Sequence, residues 1–244
     1  MSFQQMQSAS SALPASQAST QDRVAYIRKV YAMFFSGILV YIAAAGLPLL
    51  GYFMGIPVLG DVAVMAASLP WWAHLVVLLG MVLLANTTMM MQGINVMVFY
   101  LFAAVFGLLS IGLIGYALGV GGWTIVFQAL GLTGITMGGL TAYVFITKKD
   151  FSFMAGFLTV GLVLSLGAIV ILAIAGAMGV DVSLFRFALS IGLVLLFSGY
   201  VLYDTSNILH RFSTTMVVPA ALALLIDFII LFQNILTILA GSRR

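Results

Sequence analysis

Two aspartates stand inside long apolar segments in the last part of the chain. Asp204 lies in "GYVLYDTSNILHRF" (199–212), and Asp227 follows 23 residues later in "ALALLIDFIILFQNIL" (221–236). An ionisable side chain at the centre of a bilayer costs about 2.5–3.5 kcal/mol on insertion scales, and such residues usually face partners or water on an ion or proton pathway. The two carboxyl groups therefore indicate a site that binds protons or cations, with a structural hydrogen bond between two helices as the alternative.

The two acids are expected to lie at the same depth in the membrane. They are equally distant in sequence from Thr215 and Met216, which lie in the polar turn "RFSTTMVVP" (211–219). In an antiparallel hairpin such residues lie at the same level, and at 1.5 Å per residue each acid is about 10–15 Å from the cytoplasmic end of its helix. Two carboxyl groups in one dry site cannot both ionise cheaply, so they titrate as a coupled pair. We therefore predict that a shared proton latches the last two helices together and that its loss loosens their inner end.

Five further polar side chains fall on the same two helices. They lie within two turns of an acid or at the inner mouth of the hairpin: Tyr200, Asn207, Asn234, His210 and Arg211. The first three are predicted either to line a wet stripe beside the acids or to join the helices by hydrogen bonds. The last two are predicted to contact solvent or lipid headgroups. Gln233 is expected to face elsewhere, and His74 is interpreted as a structural hydrogen bonder.

The composition identifies the environment of these side chains. Hydrophobic residues make up 64% of the chain and charged residues 6%, whereas soluble proteins carry about a quarter charged residues. A soluble domain is therefore excluded, and an integral membrane protein is predicted. The absence of cysteine excludes disulfides, thiol catalysis and thiolate metal sites. The few basic residues lie in short loops and at the ends, so they indicate topology and no nucleic-acid partner; no cofactor is predicted.

Seven apolar stretches reach the length of about twenty residues that a helix needs to cross the hydrocarbon core. They are residues 31–54, 72–91, 96–118, 123–146, 153–178, 183–207 and 217–240. Short connections such as "QGIN" (92–95) and "GVGG" (119–122) indicate that neighbouring helices run antiparallel, while 55–71 form a longer connection. The sequence thus predicts an all-α membrane protein, with residues 25–244 as a seven-helix transmembrane domain and residues 1–24 as a disordered polar tail.

The placement of lysine and arginine predicts a cytoplasmic N-terminus. In that orientation six cationic residues face the cytoplasm and three face the opposite side. The six are Arg23, Arg28, Lys29, Lys148, Lys149 and Arg211, and the three are Arg186, Arg243 and Arg244. The terminal arginine pair leaves a second topology open, in which the last segment dips in and returns so that both ends are cytoplasmic.

Two glycine pairs have the spacing that lets helix backbones approach one another closely. They are Gly115 with Gly119 and Gly134 with Gly138. We predict that these residues lie at helix–helix contacts and have no other function.

The two acid-containing segments resemble the paired signature of the Bax inhibitor-1 family, the transmembrane Bax inhibitor motif proteins. "FAAVFGLLSIGLI" (102–114) and "TKKDFSF" (147–153) are also in keeping, and the similarity extends over most of residues 25–240. The resemblance implies a seven-helix bundle, with six helices around a central C-terminal helix, and a pH-sensitive calcium leak in which Asp204 and Asp227 form the sensor. Some bacterial members are instead described as inner-membrane partners of a membrane-bound ATP-dependent protease. The family's range favours a bacterial inner membrane as the location.

The chain departs from this family pattern in its second predicted helix. Some members carry an arginine at the inner end of that helix, which pairs with the aspartate of the sixth, and here the position falls among the methionines of 89–91. A glutamate found earlier in that helix in some members is also missing, because the chain contains no glutamate. The direction of pH gating is therefore left open. Two aspartates supply at most four of the six to eight oxygens that calcium prefers, so any calcium site at Asp204 and Asp227 is expected to be weak and transient.

Other classes of membrane protein fit the sequence less well. An intramembrane aspartyl protease also has two acids on adjacent helices, but its second acid belongs in a Gly-x-Gly-Asp context, whereas here it follows "LLI" (224–226). A retinal protein needs a buried lysine, and the only lysines, at 29, 148 and 149, lie at the predicted cytoplasmic surface. The sequence therefore predicts no enzyme. The alternative to a channel is a non-conducting regulator that binds other membrane proteins, for which the polar tail could serve as a handle.

Overall fold

The computed structural model describes residues 14–89, 91 and 93–242. Within these ranges the chain forms eight α-helices and one short 3-10 helix, and no strand. The helices are α1 (Thr20–Met54), α2 (Pro57–Ala67), α3 (Trp71–Thr88), α4 (Ile94–Leu109), α5 (Ile111–Thr147), α6 (Ala155–Ala177), α7 (Ser183–His210) and α8 (Val217–Gly241), with the 3-10 helix Ser152–Met154 before α6. The prediction of an all-helical fold is confirmed.

Five of the described helices are long and apolar enough to cross a membrane. They are α1, α5, α7, α8, and α6 together with its 3-10 turn, while apolar segments in α2, α3 and α4 are shorter than a full span. α1 contains the predicted first span, 31–54, and extends eleven residues further toward the N-terminus, to Thr20. The predicted spans 153–178, 183–207 and 217–240 match α6, α7 and α8 closely. The chain is therefore an integral membrane protein, as its composition predicted.

The third and fourth predicted spans are divided differently in the structure. Residues 96–118 are interrupted at Ser110, where α4 ends and α5 begins. α5 is then broken at Gly121 and Gly122, and Gly122 has φ 65° and ψ −165°, a conformation that only glycine adopts readily. Its arms, 111–120 and 123–147, are therefore separated at the predicted "GVGG" turn.

A short helix occupies the segment that was predicted to be a connection. Gly55 ends α1 in the left-handed conformation, with φ 69° and ψ 27°, and Pro57 begins α2. Glycine after a helix and proline at the first helical position are the usual stop and start signals. α2 then packs back onto α1 at Gly51, where an added Cβ would collide with Leu59.

The two glycine pairs that were predicted to lie at helix–helix contacts do not lie at such contacts, so this prediction is wrong. A Cβ built at any of the glycines at 115, 119, 134 and 138 would meet nothing within 4 Å among the described residues. Close contacts occur instead at Gly37, against the Phe99 ring, and at Gly107, against the Tyr41 carbonyl and Ala44. Sequence spacing identifies small residues on one helix face, but it does not say which face meets another helix.

The last helix is the most buried of the long helices. In its most apolar window 56% of α8 is buried, compared with 6% of the segment containing α6. α8 contacts α1, α4, α5 and α7. It is also one uninterrupted helix of 25 residues, about 37 Å long at 1.5 Å per residue. The alternative in which the last segment turns back within the membrane is therefore wrong.

The N-terminal segment contacts the turn of the α7–α8 hairpin. Residues 1–13 of the predicted tail lie outside the described residues. The Ala15 amide donates to the Phe212 carbonyl at 2.9 Å, and the Ser16 hydroxyl donates to the His210 carbonyl at 2.9 Å. Ala15 is fully buried by this contact. The segment just before α1 therefore covers the turn that links the two acid-bearing helices.

Candidate functional site

The α7–α8 hairpin brings the two predicted acids into one interior region. α7 ends at His210, and Pro219 lies in the first turn of α8, where its missing N–H has no intrahelical partner to lose. Asp227 is 2% exposed, and Asp204 is half-buried. Asp204 and Asp227 lie close enough for their carboxyl groups to interact electrostatically. The structure therefore brings together the pair that the symmetry of the hairpin predicted.

Several buried polar atoms in this region have no hydrogen-bond partner among the described residues. They come from α1, α7 and α8 and are Tyr26 Oη, Tyr31 Oη, Thr205 Oγ1, Asn207 Oδ1 and Asp227 Oδ2. Of these, the Tyr31 and Thr205 hydroxyls lie close to each other. Leaving a buried polar group unpaired costs about 1–3 kcal/mol, and more when the group is charged. In native proteins such groups usually bind water or an ion. The region can therefore hold a proton or a hydrated cation at the carboxyl pair.

The predicted neighbours of the acids have different roles. Asn207 is 6% exposed, and its side chain lies beside the Asp204 carboxylate. Tyr200 is within range of the charges of both acids, while its hydroxyl donates to the Leu158 carbonyl of α6 at 3.1 Å. Asn234 donates to a carbonyl of its own helix. Asn207 thus belongs to the site and Tyr200 borders it. The amide of Asn234 instead forms a hydrogen bond within α8.

At the end of α7, His210 and Arg211 contact protein groups that the sequence did not indicate. His210 Nδ1 is 3.0 Å from the Ser206 carbonyl, and Arg211 Nη2 is 3.8 Å from Asp150 Oδ2. Both side chains of the ion pair are more than half exposed, so the pair contributes about 0–1 kcal/mol. The Ser152 amide, followed by the Arg211 and His210 charges, lowers the pKa of the Asp150 carboxyl. Asp150 therefore stays ionised at neutral pH.

Ser206 positions a loop beside the acids, and sequence reasoning missed it. Its fully buried hydroxyl accepts from the Phe151 amide at 2.9 Å and lies 3.4 Å from the Lys149 carbonyl. Lys148 turns the chain out of α5 in the left-handed conformation, with φ 52°. The α5–α6 loop is thus held against α7 two residues from Asp204. A lone serine in an apolar helix gives no signal of such a partner.

A second polar cluster lies further along α8. Gln233 Nε2 donates to Ser110 Oγ at 2.9 Å, and the Tyr41 hydroxyl is 2.7 Å from the same oxygen. Ser110 itself donates to the Phe106 carbonyl, so it accepts from the other two side chains. Tyr41 and Ser110 are each 1% exposed. The cluster joins α1, the α4–α5 junction and α8, and Gln233 faces away from the carboxyl pair as predicted.

Replacing Ser110 by alanine is expected to destabilise the protein by about 1–3 kcal/mol, because the buried Tyr41 hydroxyl loses a partner. Adding Tyr41→Phe to this variant is expected to cost little more, since the orphaned hydroxyl is then gone. Thermal unfolding of the purified variants measures both effects. Ser165→Ala is the control, because its hydroxyl bonds only within α6, to the Gly161 carbonyl. Equal losses in Ser110→Ala and Ser165→Ala would contradict the role given to the cluster.

Two further points concern the hydrogen bond of His74 and the binding of metal ions. His74 Nδ1 is 3.2 Å from the Pro70 carbonyl one turn back, so His74 is a structural hydrogen bonder as interpreted. Among the described residues no group of three or more His, Asp or Glu side chains converges. A cation at the carboxyl pair would therefore need neutral oxygens or water to complete its shell.

Comparison with known proteins finds similarity along most of the chain and not only in the α7–α8 hairpin. The sequence profile of the family described as "Inhibitor of apoptosis-promoting Bax1" matches residues 23–244. A protein of Schizosaccharomyces pombe named Bax inhibitor 1 is 32% identical over 230 residues, which cover 93% of this chain and 80% of that protein.

Two bacterial relatives match over shorter segments. A membrane protein of Vibrio cholerae is 38% identical over 124 residues, covering 51% of this chain and 53% of that protein. The Escherichia coli protein named modulator of FtsH protease YccA is 30% identical over 141 residues, covering 54% of this chain and 62% of that protein. The matched segments thus span little more than half the length of these two relatives.

Proposed function

The chain belongs to the Bax inhibitor-1 family, and we propose that it is a pH-sensitive calcium leak of a bacterial inner membrane. The observation that carries this proposal is the buried Asp227, which has one unpartnered carboxylate oxygen and lies beside Asp204. A structural aspartate in a membrane helix is expected to have its oxygens hydrogen-bonded. The unpartnered oxygen favours a group that binds something transient, either a proton or a cation.

The transmembrane arrangement proposed for this function has seven spans, with α8 at the centre and the N-terminus in the cytoplasm. Burial of α8 against four other helices supports its central position. The break at Gly121 and Gly122 supports counting the arms of α5 separately, so that α4 continues into the arm 111–120 and the arm 123–147 is a span of its own. The excess of lysine and arginine on the hairpin side of the bundle supports the orientation.

In the closed state, a proton is shared by Asp204 and Asp227 and holds α7 and α8 together. When that proton leaves, two carboxylates face each other in a medium of low dielectric constant, where repulsion is much stronger than in water. The inner ends of the two helices then separate. The α5–α6 loop and the N-terminal segment both contact this inner end, so they move with it.

A cation is the natural partner of the deprotonated pair in this chain. α3 carries no lysine or arginine, and the ion pair formed among the described residues, Arg211 with Asp150, lies at the surface. A divalent cation would neutralise both carboxylates. Asn207 Oδ1 is a buried neutral oxygen one turn from Asp204, and water would supply the remaining ligands. A site with so few fixed ligands is expected to bind calcium weakly, as a site through which calcium passes must do.

The sign of the pH response follows from this competition. Protons and calcium occupy the same carboxyl groups, so flux is expected to rise as the pH rises. The phenol of Tyr200 on α7 also lies within range of both carboxyl groups. His210→Gln, which removes the imidazole at the end of α7, is the control for the inner mouth.

Calcium flux into liposomes tests the proposal. Purified protein is reconstituted with a calcium-sensitive dye inside the vesicles, and uptake is measured between about pH 6 and pH 8, where a coupled carboxyl pair can titrate. Uptake that rises with pH and is lost in the double variant Asp204→Asn, Asp227→Asn is expected. Absence of uptake at every pH would overturn the proposal.

A non-conducting regulator of another membrane protein is the second candidate function. The observation that favours it is the 30% identity to the Escherichia coli protein named as a modulator of FtsH protease. A membrane-bound ATP-dependent protease would then be the partner, and no catalysis by this chain is proposed. Co-purification of such a protease with the tagged chain from native membranes, together with absence of flux, is the result that would support this candidate.

A further inference from the structure

A cavity of about 610 Å³ opens at the end of the bundle away from the acid pair. It is bounded by α2 to α7, and its inner wall includes Gln233 of α8. Gln233 lies six residues beyond Asp227, or about 9 Å along the helix axis. The volume is within the range of about 300–1,000 Å³ that is usual for small-molecule sites. The cavity is therefore large enough for a ligand and separate from the carboxyl pair.

The lining of the cavity is apolar except at His74 and at two other places. Most wall residues are aliphatic or aromatic, including Leu78, Phe106, Leu113, Leu172 and Ala173. The inner wall has the amide and hydroxyl of the α8 cluster, which are already bonded to each other.

The second polar place is the guanidinium group of Arg186 at the rim. Arg186 is exposed, in the first turn of α7, and forms no ion pair with any carboxylate in the described part of the chain. His74, which also lines the cavity, has its Nδ1 engaged by Pro70. A guanidinium group binds carboxylates and phosphates through two parallel hydrogen bonds. The rim therefore presents, above apolar walls, an anion-binding group that has no carboxylate partner among the described residues.

We infer that this cavity binds an anionic amphiphile, with its carboxylate or phosphate head at Arg186 and its acyl chain along the apolar walls. The positive charge of Arg186 disfavours a cation. A small hydrophilic anion would leave the apolar walls without a partner, and a neutral lipid would leave Arg186 without one. A free fatty acid and an anionic phospholipid share the required chemistry. The inference does not depend on the proposed calcium leak, because none of its residues belongs to the acid pair.

Photolabelling of the full-length protein tests this inference. The protein is placed in nanodiscs of zwitterionic phosphatidylcholine and exposed to palmitic acid carrying a photoreactive diazirine, and the labelled peptides are identified by mass spectrometry. Label is expected on the cavity walls in 106–113 and 169–173. Arg186→Gln is expected to reduce that label about tenfold, the loss that corresponds to about 1.4 kcal/mol. Arg186→Lys, which keeps the charge, is expected to retain most of it.

Two matched variants make the outcome decisive. Ala173→Phe fills the cavity without changing charge and is expected to remove the label from both segments. Arg28→Gln removes an exposed cation elsewhere, on α1, and is expected to have no effect. Displacement by phosphatidylglycerol would assign the site to bilayer phospholipid, and no displacement would assign it to free fatty acid. Label spread over the outer surface and unchanged by Arg186→Gln and Ala173→Phe would overturn the inference.

Discussion

Replacing Asp227 by asparagine is expected to abolish the pH dependence of calcium flux. Asparagine keeps the size and the hydrogen-bonding capacity of the side chain, but it cannot share a proton with Asp204 or contribute charge to a calcium site. In the unmodified protein, the population of a deprotonated site falls about tenfold for each pH unit below its midpoint. The variant is expected to show low flux that is flat across the same range. Dye uptake into liposomes, measured at matched protein density, gives both curves.

Controls separate this effect from general changes in charge. Asp61→Asn changes an exposed aspartate of α2 and is expected to leave the profile unchanged. Asp150 is excluded as the source of a response near neutral pH, because its pKa is lowered. Its ionised state contributes to stability above the pKa of the unfolded chain, and that contribution is lost only as pH falls through the lower, folded value. A pH profile that is unchanged in Asp227→Asn would remove the carboxyl pair from the mechanism.

The two acids are not equivalent, and their variants should differ. Asp227 is nearly inaccessible, whereas Asp204 is half-buried beside Asn207. Asp204→Asn is therefore expected to retain a residual pH response from Asp227 alone, shifted to a different midpoint. The expected difference arises from burial, because the two carboxyl groups are chemically identical.

The depth and pairing of the acids could be predicted because they depend on local rules. A helix advances a fixed distance per residue, so symmetry about Thr215 and Met216 is enough to place Asp204 and Asp227 at one level. The bounds of α6 to α8 followed from hydrophobic length in the same way. The break at Gly121 and Gly122 was also visible, because a glycine-rich run between two apolar stretches has few other uses.

What could not be predicted depends on contacts between distant segments. Ser206 binds a loop more than fifty residues away, and Gln233 meets Ser110 across 123 residues. No periodicity in the sequence relates these positions. The glycine contacts failed for the same reason, since spacing defines a face of small residues but the packing of the bundle decides what that face meets. The short helix α2 was missed because its signals, Gly55 and Pro57, also suit a loop.

Replacing Gly107 by leucine is expected to destabilise the protein strongly at the contact between α1 and α4. A Cβ at this position would lie 2.8 Å from Ala44 Cβ and against the Tyr41 carbonyl, which is backbone and cannot move away. Overpacking of this kind costs about 1–3 kcal/mol, and leucine adds three further carbons to the clash. For a chain of this size, about 3 kcal/mol lowers the unfolding midpoint by about 6–12 °C. Separation of α1 from α4 would also pull Tyr41 from Ser110, so the polar cluster fails together with the contact.

Gly115→Leu is the matched control for this change, because the sequence predicted a close contact there and the structure leaves open space beside it. Both variants add the same side chain to an apolar helix, so they share any effect on membrane insertion. Thermal unfolding in the same detergent compares them directly. Gly107→Leu should unfold well below the unmodified protein, while Gly115→Leu should unfold close to it. Equal midpoints for the two variants would mean that α1 and α4 do not meet at Gly107, and the positions of Tyr41 and Ser110 would then also be wrong.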